Sequence, residues 1–298
     1  MESCCAGSPK GLQIGLAKPS HSPIQGSGSR LEFISIPAGS FQMGSADPDG
    51  NPLDFEGPIR EIDLPEFEIS PTPITNAQFA QFVSETHYLT EAEQLGWSFV
   101  FHLLTDPDSE VIGSSETAPW WLGVKAASWR SASGGSSSFE KLLEHPVVHI
   151  SYQDALAFCN WAGVDLPTEA QWEKAARGGL TSKRYPWGDE LLADGKWQCN
   201  IFQGQFPSDN SAEDGFVGTS PVKTYAPNNF GGYDFSGNVW EWTCSDFSEG
   251  NAGEKVTRGG SYVCHDSYCN RYRVGARNRT VIDSLAGNIG FRVVRNLS

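Results

Sequence analysis

The stretch Gly259-Gly260-Ser261-Tyr262-Val263-Cys264-His265-Asp266-Ser267-Tyr268-Cys269-Asn270-Arg271-Tyr272-Arg273 places two cysteines between a glycine pair and a run of aromatic and arginine residues. Thiolates are soft ligands and good nucleophiles, so a close pair can form a disulfide, bind a soft metal or run redox chemistry. The C-x4-C spacing does not choose among these, and two unrelated buried thiols fit it as well.

Outward from this segment, the 298-residue chain is long enough to bury a sizeable core. Its 32 glycines and 10 tryptophans suggest a loop-rich fold held by aromatic packing. A net charge of -15 argues against nucleic acid and anionic membrane as partners, and favours a cationic ligand such as an arginine-bearing peptide. No apolar run reaches the roughly 18 residues of a transmembrane helix. Residues 1–30 are rich in Gly, Ser and Pro without an apolar signal-peptide core, which predicts a disordered leader ahead of a domain over 31–298. Cys4 and Cys5 in that leader are expected to be an unstructured pair.

Along the chain, Leu31 to Ser45 alternates around Pro37-Ala38-Gly39 and predicts a hairpin. Ile62 to Ile69 predicts one strand, with Pro65 marking an edge. Capping-box patterns at Thr75-Asn76-Ala77-Gln78 and Thr168-Glu169-Ala170-Gln171 start helices, and a third helix starts near Ser151 with Asp154 three positions on. Short helices scattered among strands and long loops predict an α+β single domain. Asp47-Pro48-Asp49-Gly50 does not match an EF-hand loop and is expected to be an acidic turn. Ser131 to Ser138 is expected to be a mobile Gly/Ser loop. His145 and His149 would share one face of a strand, and a buried structural role comes first for them.

The wording around the cysteine pair resembles the active-site segment of formylglycine-generating enzymes, copper oxidases that activate sulfatases. The resemblance runs from about Leu31 to Arg295. It includes Phe41-Gln42-Met43-Gly44, Tyr185-Pro186-Trp187-Gly188, Cys199-Asn200-Ile201-Phe202-Gln203-Gly204, Glu213-Asp214-Gly215-Phe216 and Gly237-Asn238-Val239-Trp240-Glu241-Trp242. It implies a C-type-lectin-like fold with little regular secondary structure. Members with lectin-like or accessory roles keep the glycine-aromatic framework without the pair, which makes Cys264 and Cys269 the discriminating residues.

The resemblance further implies that Cys264 and Cys269 hold Cu(I), with Ser261 and Trp240 lining the oxygen side. His265, Tyr268 and Asn288 would shape the pocket or hold substrate, and Trp97, Trp120 and Trp121 would line its groove. Trp97 stands where some relatives have an acidic contact to the substrate arginine. The substrate would be a sulfatase polypeptide with a Cys-x-Pro-x-Arg motif. O2 would be consumed, a hydrogen would leave the cysteine β-carbon, and the thioaldehyde would hydrolyse to Cα-formylglycine. One structural Ca2+ would use the side chains of Asn200 and Asp214 with the carbonyls of Ile201 and Phe216. A second would use Asp234 with the carbonyls of Phe235, Gly237 and Val239, with Glu241 as a further contributor. Relatives from the secretory pathway carry two more disulfides, and of those four positions only Cys159 is cysteine here, beside Ala176, Val274 and Val293. That pattern predicts a cytoplasmic protein, which is also expected to be a monomer. Two other classes stay open from the residues themselves: a non-catalytic binding module on the same fold, and a metal-free thiol-disulfide exchanger.

Overall fold

The helix starts of this chain are written in its side chains. Thr75, Thr90, Ser151 and Thr168 each accept a hydrogen bond from the backbone N–H three residues on, and Gln78, Glu93, Asp154 and Gln171 return one to the cap. Each box satisfies otherwise orphaned N–H groups at a helix N-terminus. The computed structural model describes residues 31–297, so the expected leader with Cys4 and Cys5 lies outside the described residues. Within them, β1 (Ile34–Ile36), β2 (Gly39–Met43), β3 (Arg60–Leu64) and β4 (Phe67–Ile69) precede α1 (Asn76–Thr86) and α2 (Glu91–Leu95). Then come β5 (Trp97–Phe101), β6 (Val111–Ser114) and β7 (Trp121–Lys125), followed by α3 (Tyr152–Ala162) and α4 (Glu169–Arg177). α2 was not anticipated, although Thr90 and Glu93 carry the same capping signal as the other three.

Two strand expectations need correction. Leu31 to Ser45 does not fold back on itself: β1 pairs with β4, and β2 pairs with β3 in a different sheet. Ile62 to Ile69 is not one strand, because Pro65 separates β3 from β4. A proline lacks the N–H that a ladder needs, and here the break lets the chain change sheets. Ser131 to Ser138 is tethered, with Ser136 donating to Asp106 and Asp106 N–H donating to Ser133 O. Asp47 to Gly50 is a turn whose two aspartates pair with Arg184.

The C-terminal half is built of short ladders, β8 (Leu192–Ala193) on β9 (Lys196–Trp197) and β10 (Gly204–Gln205) on β11 (Asp209–Asn210). They lead into a four-stranded sheet of β12 (Trp240–Asp246), β13 (Glu254–Arg258), β14 (Asn278–Val281) and β15 (Ile289–Phe291), in the order β14-β13-β12-β15. The last strand, β16 (Val294–Asn296), returns to pair with β4 and closes the N-terminal sheet. α1 and α3 pack through rings, with Phe79 and Phe158 stacked at 6.0 Å and Phe82 edge-on to Phe158 at 5.7 Å. The result is α+β, as expected. No helix among the described residues is long and apolar enough to cross a membrane.

Residues 259–277 form the connection between β13 and β14, which are hydrogen-bonded neighbours. The cysteine segment is therefore a long excursion from one end of the central sheet. Trp240 opens β12 at that same end, and its partner across the parallel ladder is Ile289, next to Asn288.

Candidate active site

Gly260 sets the path of the segment. It has φ +72°, and a Cβ there would lie 2.9 Å from the backbone of Tyr272, so only glycine lets the strand exit turn back beneath the following chain. Cys264 N–H donates to Ser261 O, and the N–H groups of Tyr268 and Cys269 both donate to His265 O. These turns bring the two sulfurs to 2.8 Å, with Cys264 and Cys269 only 1% and 2% exposed. Ser261 accepts from Asn288 Nδ2 at 3.0 Å, and Asn288 O accepts from Trp240 N–H at 2.8 Å. The structure thus gathers Ser261, Trp240 and Asn288 with the cysteine pair. Trp240 Nε1 and Asn288 Oδ1 are buried without a hydrogen-bond partner.

Aromatic rings flank the pair. Tyr268 meets Trp120 edge-on at 4.8 Å, and both touch Phe206. His265 is half-buried, with Nδ1 2.8 Å from Ser267 Oγ. The three tryptophans separate here. Trp120 is half-buried beside Tyr268, whereas Trp97 is 7% exposed in β5 and Trp121 is 0% exposed in β7. Trp97 packs edge-on to Phe99 and Trp121 to Phe101, so both serve the core, and of the three only Trp120 offers substantial surface to a substrate.

Two contacts had no local signal in the sequence. Arg271 is buried, chelated by Asp54 at 2.5 and 3.1 Å, and its Nη1 lies 3.9 Å from Cys269 Sγ. It places positive charge beside the sulfur. Phe202 N–H donates to Cys264 O at 3.0 Å, which ties the loop after Cys199 to the first cysteine. Neither partner is near in sequence, so no periodicity or spacing links them.

That same loop carries the first expected Ca2+ site. Asp214 Oδ2 accepts from Ile201 N–H at 2.9 Å, and Oδ1 accepts from Phe216 N–H at 3.0 Å. The amide N–H group of Gln203 spans Ile201 O and Asp214 Oδ2, so these oxygens converge on one point. Asn200 Oδ1 is buried with no partner, and burial raises the Asp214 carboxyl above its ordinary range. Convergent oxygens and an orphaned acceptor suit a hard cation. At the second set, Asp234 takes Lys223 N–H at 3.0 Å, and burial pushes its carboxyl up to about 6. Gly237 must be glycine, since a Cβ would lie 2.2 Å from Asn200 O, and this contact joins the two loops. Phe235 packs edge-on to Trp172 at 5.3 Å, and Val239 is fully buried. Glu241 is committed elsewhere: Arg292 grips it at 2.6 and 2.7 Å, and Trp172 Nε1 donates at 2.6 Å, so it is a structural anchor and not a ligand.

The histidines are structural too. His149 is fully buried with Nε2 donating to Ala132 O at 2.9 Å, and Nδ1 accepting from Ser98 Oγ at 2.7 Å. Burial pushes it down to about 4. His145 Nδ1 meets Thr219 Oγ1 at 2.9 Å.

Residues 20–297 match the sulfatase-modifying factor enzyme 1-like domain model. The chain belongs to that family. It is 50% identical, over 87% of each chain, to a protein of Streptomyces coelicolor named formylglycine-generating enzyme. It is also 43% identical, over 90% of this chain and 89% of the other, to a Bos taurus protein named inactive C-alpha-formylglycine-generating enzyme 2. In structure it is similar to PvdO from Pseudomonas aeruginosa, with a TM-score of 0.66 at 23% identity over 89% of this chain and 94% of that one. Whole-chain similarity thus reaches proteins named formylglycine-generating enzyme and one named inactive alike.

Proposed function

We propose that this protein oxidises a cysteine of a sulfatase polypeptide to Cα-formylglycine. The observation that carries the reading is the pair of buried cysteine sulfurs 2.8 Å apart inside the family's segment. Two close thiols in an apolar surround suit a soft monovalent ion such as Cu(I). Among the described residues no group of three or more His, Cys, Asp or Glu is placed to hold a metal. An ion on these two sulfurs would leave room for a third ligand, for which the substrate's own thiol is suited. When bound there, Cu(I) would supply the one-electron chemistry that couples O2 to loss of a hydrogen from the cysteine β-carbon.

The chain's own residues do the rest. Cys264 and Cys269 would hold the ion, and Arg271 sets its positive charge 3.9 Å from the Cys269 sulfur. Burial excludes water, which strengthens those electrostatics. Ser261, whose carbonyl takes Cys264 N–H, holds Asn288 in place, and Asn288 Oδ1 and Trp240 Nε1 leave an unused acceptor and donor on that side. Trp120 and Tyr268 present ring faces to an incoming chain. Net, the cysteine β-carbon becomes an aldehyde, the sulfur leaves as hydrogen sulfide, and O2 is consumed with two electrons from an external thiol reductant. The substrate motif is Cys-x-Pro-x-Arg, whose guanidinium suits an acidic protein. Ca2+ at Asn200, Ile201, Asp214 and Phe216 would brace the loop behind Cys264, and a second at Asp234 would brace its neighbour. A reducing, cytoplasmic location and a monomeric state complete the reading.

The test mixes Cu(I)-loaded protein with a Cys-x-Pro-x-Arg peptide under air and a thiol reductant, and follows peptide mass. Conversion to the aldehyde is expected. An unchanged peptide, or one recovered only as a mixed disulfide, would overturn the reading and favour thiol-disulfide exchange, which the same sulfur spacing allows.

A further inference from the structure

Within the cysteine segment Ser267 bonds His265 Nδ1 at 2.8 Å, and the planes of the rings beside the two cysteines are further set from outside it. Between the two cysteines, His265 directly follows Cys264 and Tyr268 directly precedes Cys269, and both rings lie against one residue from a distant loop. Phe206 stacks on Tyr268 with centroids 4.8 Å apart and planes 9° apart, and it lies parallel to His265 at 6.5 Å, also 9°. Trp120 closes the corner, edge-on to Phe206 at 5.1 Å and to Tyr268 at 4.8 Å.

Phe206 is fixed from outside the segment. It sits at the tip of the β10–β11 hairpin, whose register pairs Gln205 with Asp209. At the tip, His102 Nε2 donates to Pro207 O at 2.9 Å. At the base, Ser211 N–H donates to Gln203 O at 3.0 Å, and Gln203 in turn reaches Asp214. The ring is half-buried, and it also packs on the buried core through Phe202 at 5.2 Å and Phe101 at 6.5 Å, which holds its own plane. A tyrosine without such a neighbour samples several rotamers, and ordering it on substrate arrival costs free energy.

We propose that Phe206 is a positioning residue: its ring fixes the planes of Tyr268 and His265 so that the cysteine-bearing polypeptide meets a preformed wall. This rests on the function proposed above. Phe206 acts through Tyr268, so its effect belongs to substrate capture and not to copper binding.

The test uses the Cu(I)-loaded protein and the cysteine peptide. Phe206→Leu should raise KM about tenfold with kcat within about twofold, the scale of losing an aromatic pair. Phe206→Tyr, which keeps the ring, should restore KM to near the starting value. In the double variant with Tyr268→Ala, Phe206→Leu should add no further rise, because the residue through which it acts is already gone. Cu(I) affinity by chelator competition should match the parent protein in Phe206→Leu, with KM read at a temperature where the variant stays folded. An unchanged KM, a rise that adds fully to that of Tyr268→Ala, or a loss that tracks a lowered melting temperature would overturn the proposal. An unmodified protein that fails to oxidise the peptide at all would instead overturn the function on which it rests, and the proposal with it.

Discussion

The floor beneath the cysteine segment and the segment itself are satisfied to different degrees. In the floor, buried arginines meet buried carboxylates at short range. Arg258 joins Glu169 at 2.7 Å and Glu173 at 2.6 Å, and Arg292 joins Glu241 at 2.6 Å. Around the segment, buried Trp120 Nε1, Trp240 Nε1 and Asn288 Oδ1 have no partner. The floor ties together loops too short of ladders to hold themselves. A buried ion pair adds little net stability, but losing one partner is severe. An unmade buried hydrogen bond costs about 1–3 kcal/mol, and an arriving molecule that makes it recovers that cost. The difference teaches that this fold spends its buried carboxylates on rigidity, while unmet polar atoms remain in several places, Arg258 Nε in the floor and Trp240 Nε1 and Asn288 Oδ1 around the segment among them.

The sharpest way to test that division is to remove a thiol. Cys264→Ser and Cys269→Ser should each bring peptide oxidation down to background while the melting curve holds. Full turnover by either serine variant in the absence of copper would sink the assignment of copper to this pair. The converse experiment breaks the floor. Glu173 bonds Arg177, Arg258 and Gly44 N–H, so Glu173→Ala should lower unfolding free energy by about 3–5 kcal/mol. Denaturant midpoints read this, and activity per folded molecule should be retained. A loss under about 1 kcal/mol would show that the floor is not an ionic framework.

Acid probes the rest of the buried framework next. His149 is held neutral, with its pKa pushed from 6.5 to about 4. The unfolded state therefore binds more protons between those values, and stability falls as pH drops through that window. One group contributes up to about 3 kcal/mol, fully present above pH 6.5 and lost by pH 4. His149→Asn, which tolerates the φ of 61° found here, should flatten the pH dependence of unfolding, and an unaltered slope would move the acid sensitivity to other groups. Cation removal follows in size. Chelation should lower stability by about 2.7 kcal/mol if Ca2+ had stood at a hundredfold excess over Kd. Asp214→Ala should mimic it, and an identical melting curve would make the Asn200–Phe216 loop an ordinary turn.

The smallest effect concerns the open side. With Trp97 and Trp121 in the core, an arginine of the substrate has Trp120 as the partner among the three, and a single exposed stacking contact is modest. Replacing that arginine with lysine should lower kcat/KM about twofold to fivefold, and added salt should matter little. Equal values for arginine, lysine and alanine peptides would withdraw arginine from the recognised motif.

Much of this was legible before any coordinates. The cap residues at Thr75, Ser151 and Thr168 name their helices because a capping box is completed within four residues. Thr90 carries the same signal. The α+β class follows from the scatter of those short helices. Cys264 and Cys269 stand out because soft-ligand chemistry belongs to the residue type, and their neighbours carry the family's wording.

Strand partnership was not legible. The alternating pattern of residues 31–45 fits a hairpin as well as two strands that part company, and Pro65 breaks a ladder without naming the sheet each half joins. Tertiary structure alone decided that Trp97 and Trp121 turn into the core while Trp120 faces Tyr268. It alone brought Asp54 to Arg271 across 217 positions, and Phe206 onto Tyr268. The physical reason is range. Capping bonds and thiol chemistry are settled within a few residues, so sequence determines them. Ion pairs and ring stacks between distant segments depend on loop closure and on what every other segment has already filled, so they exist only once the whole chain has folded.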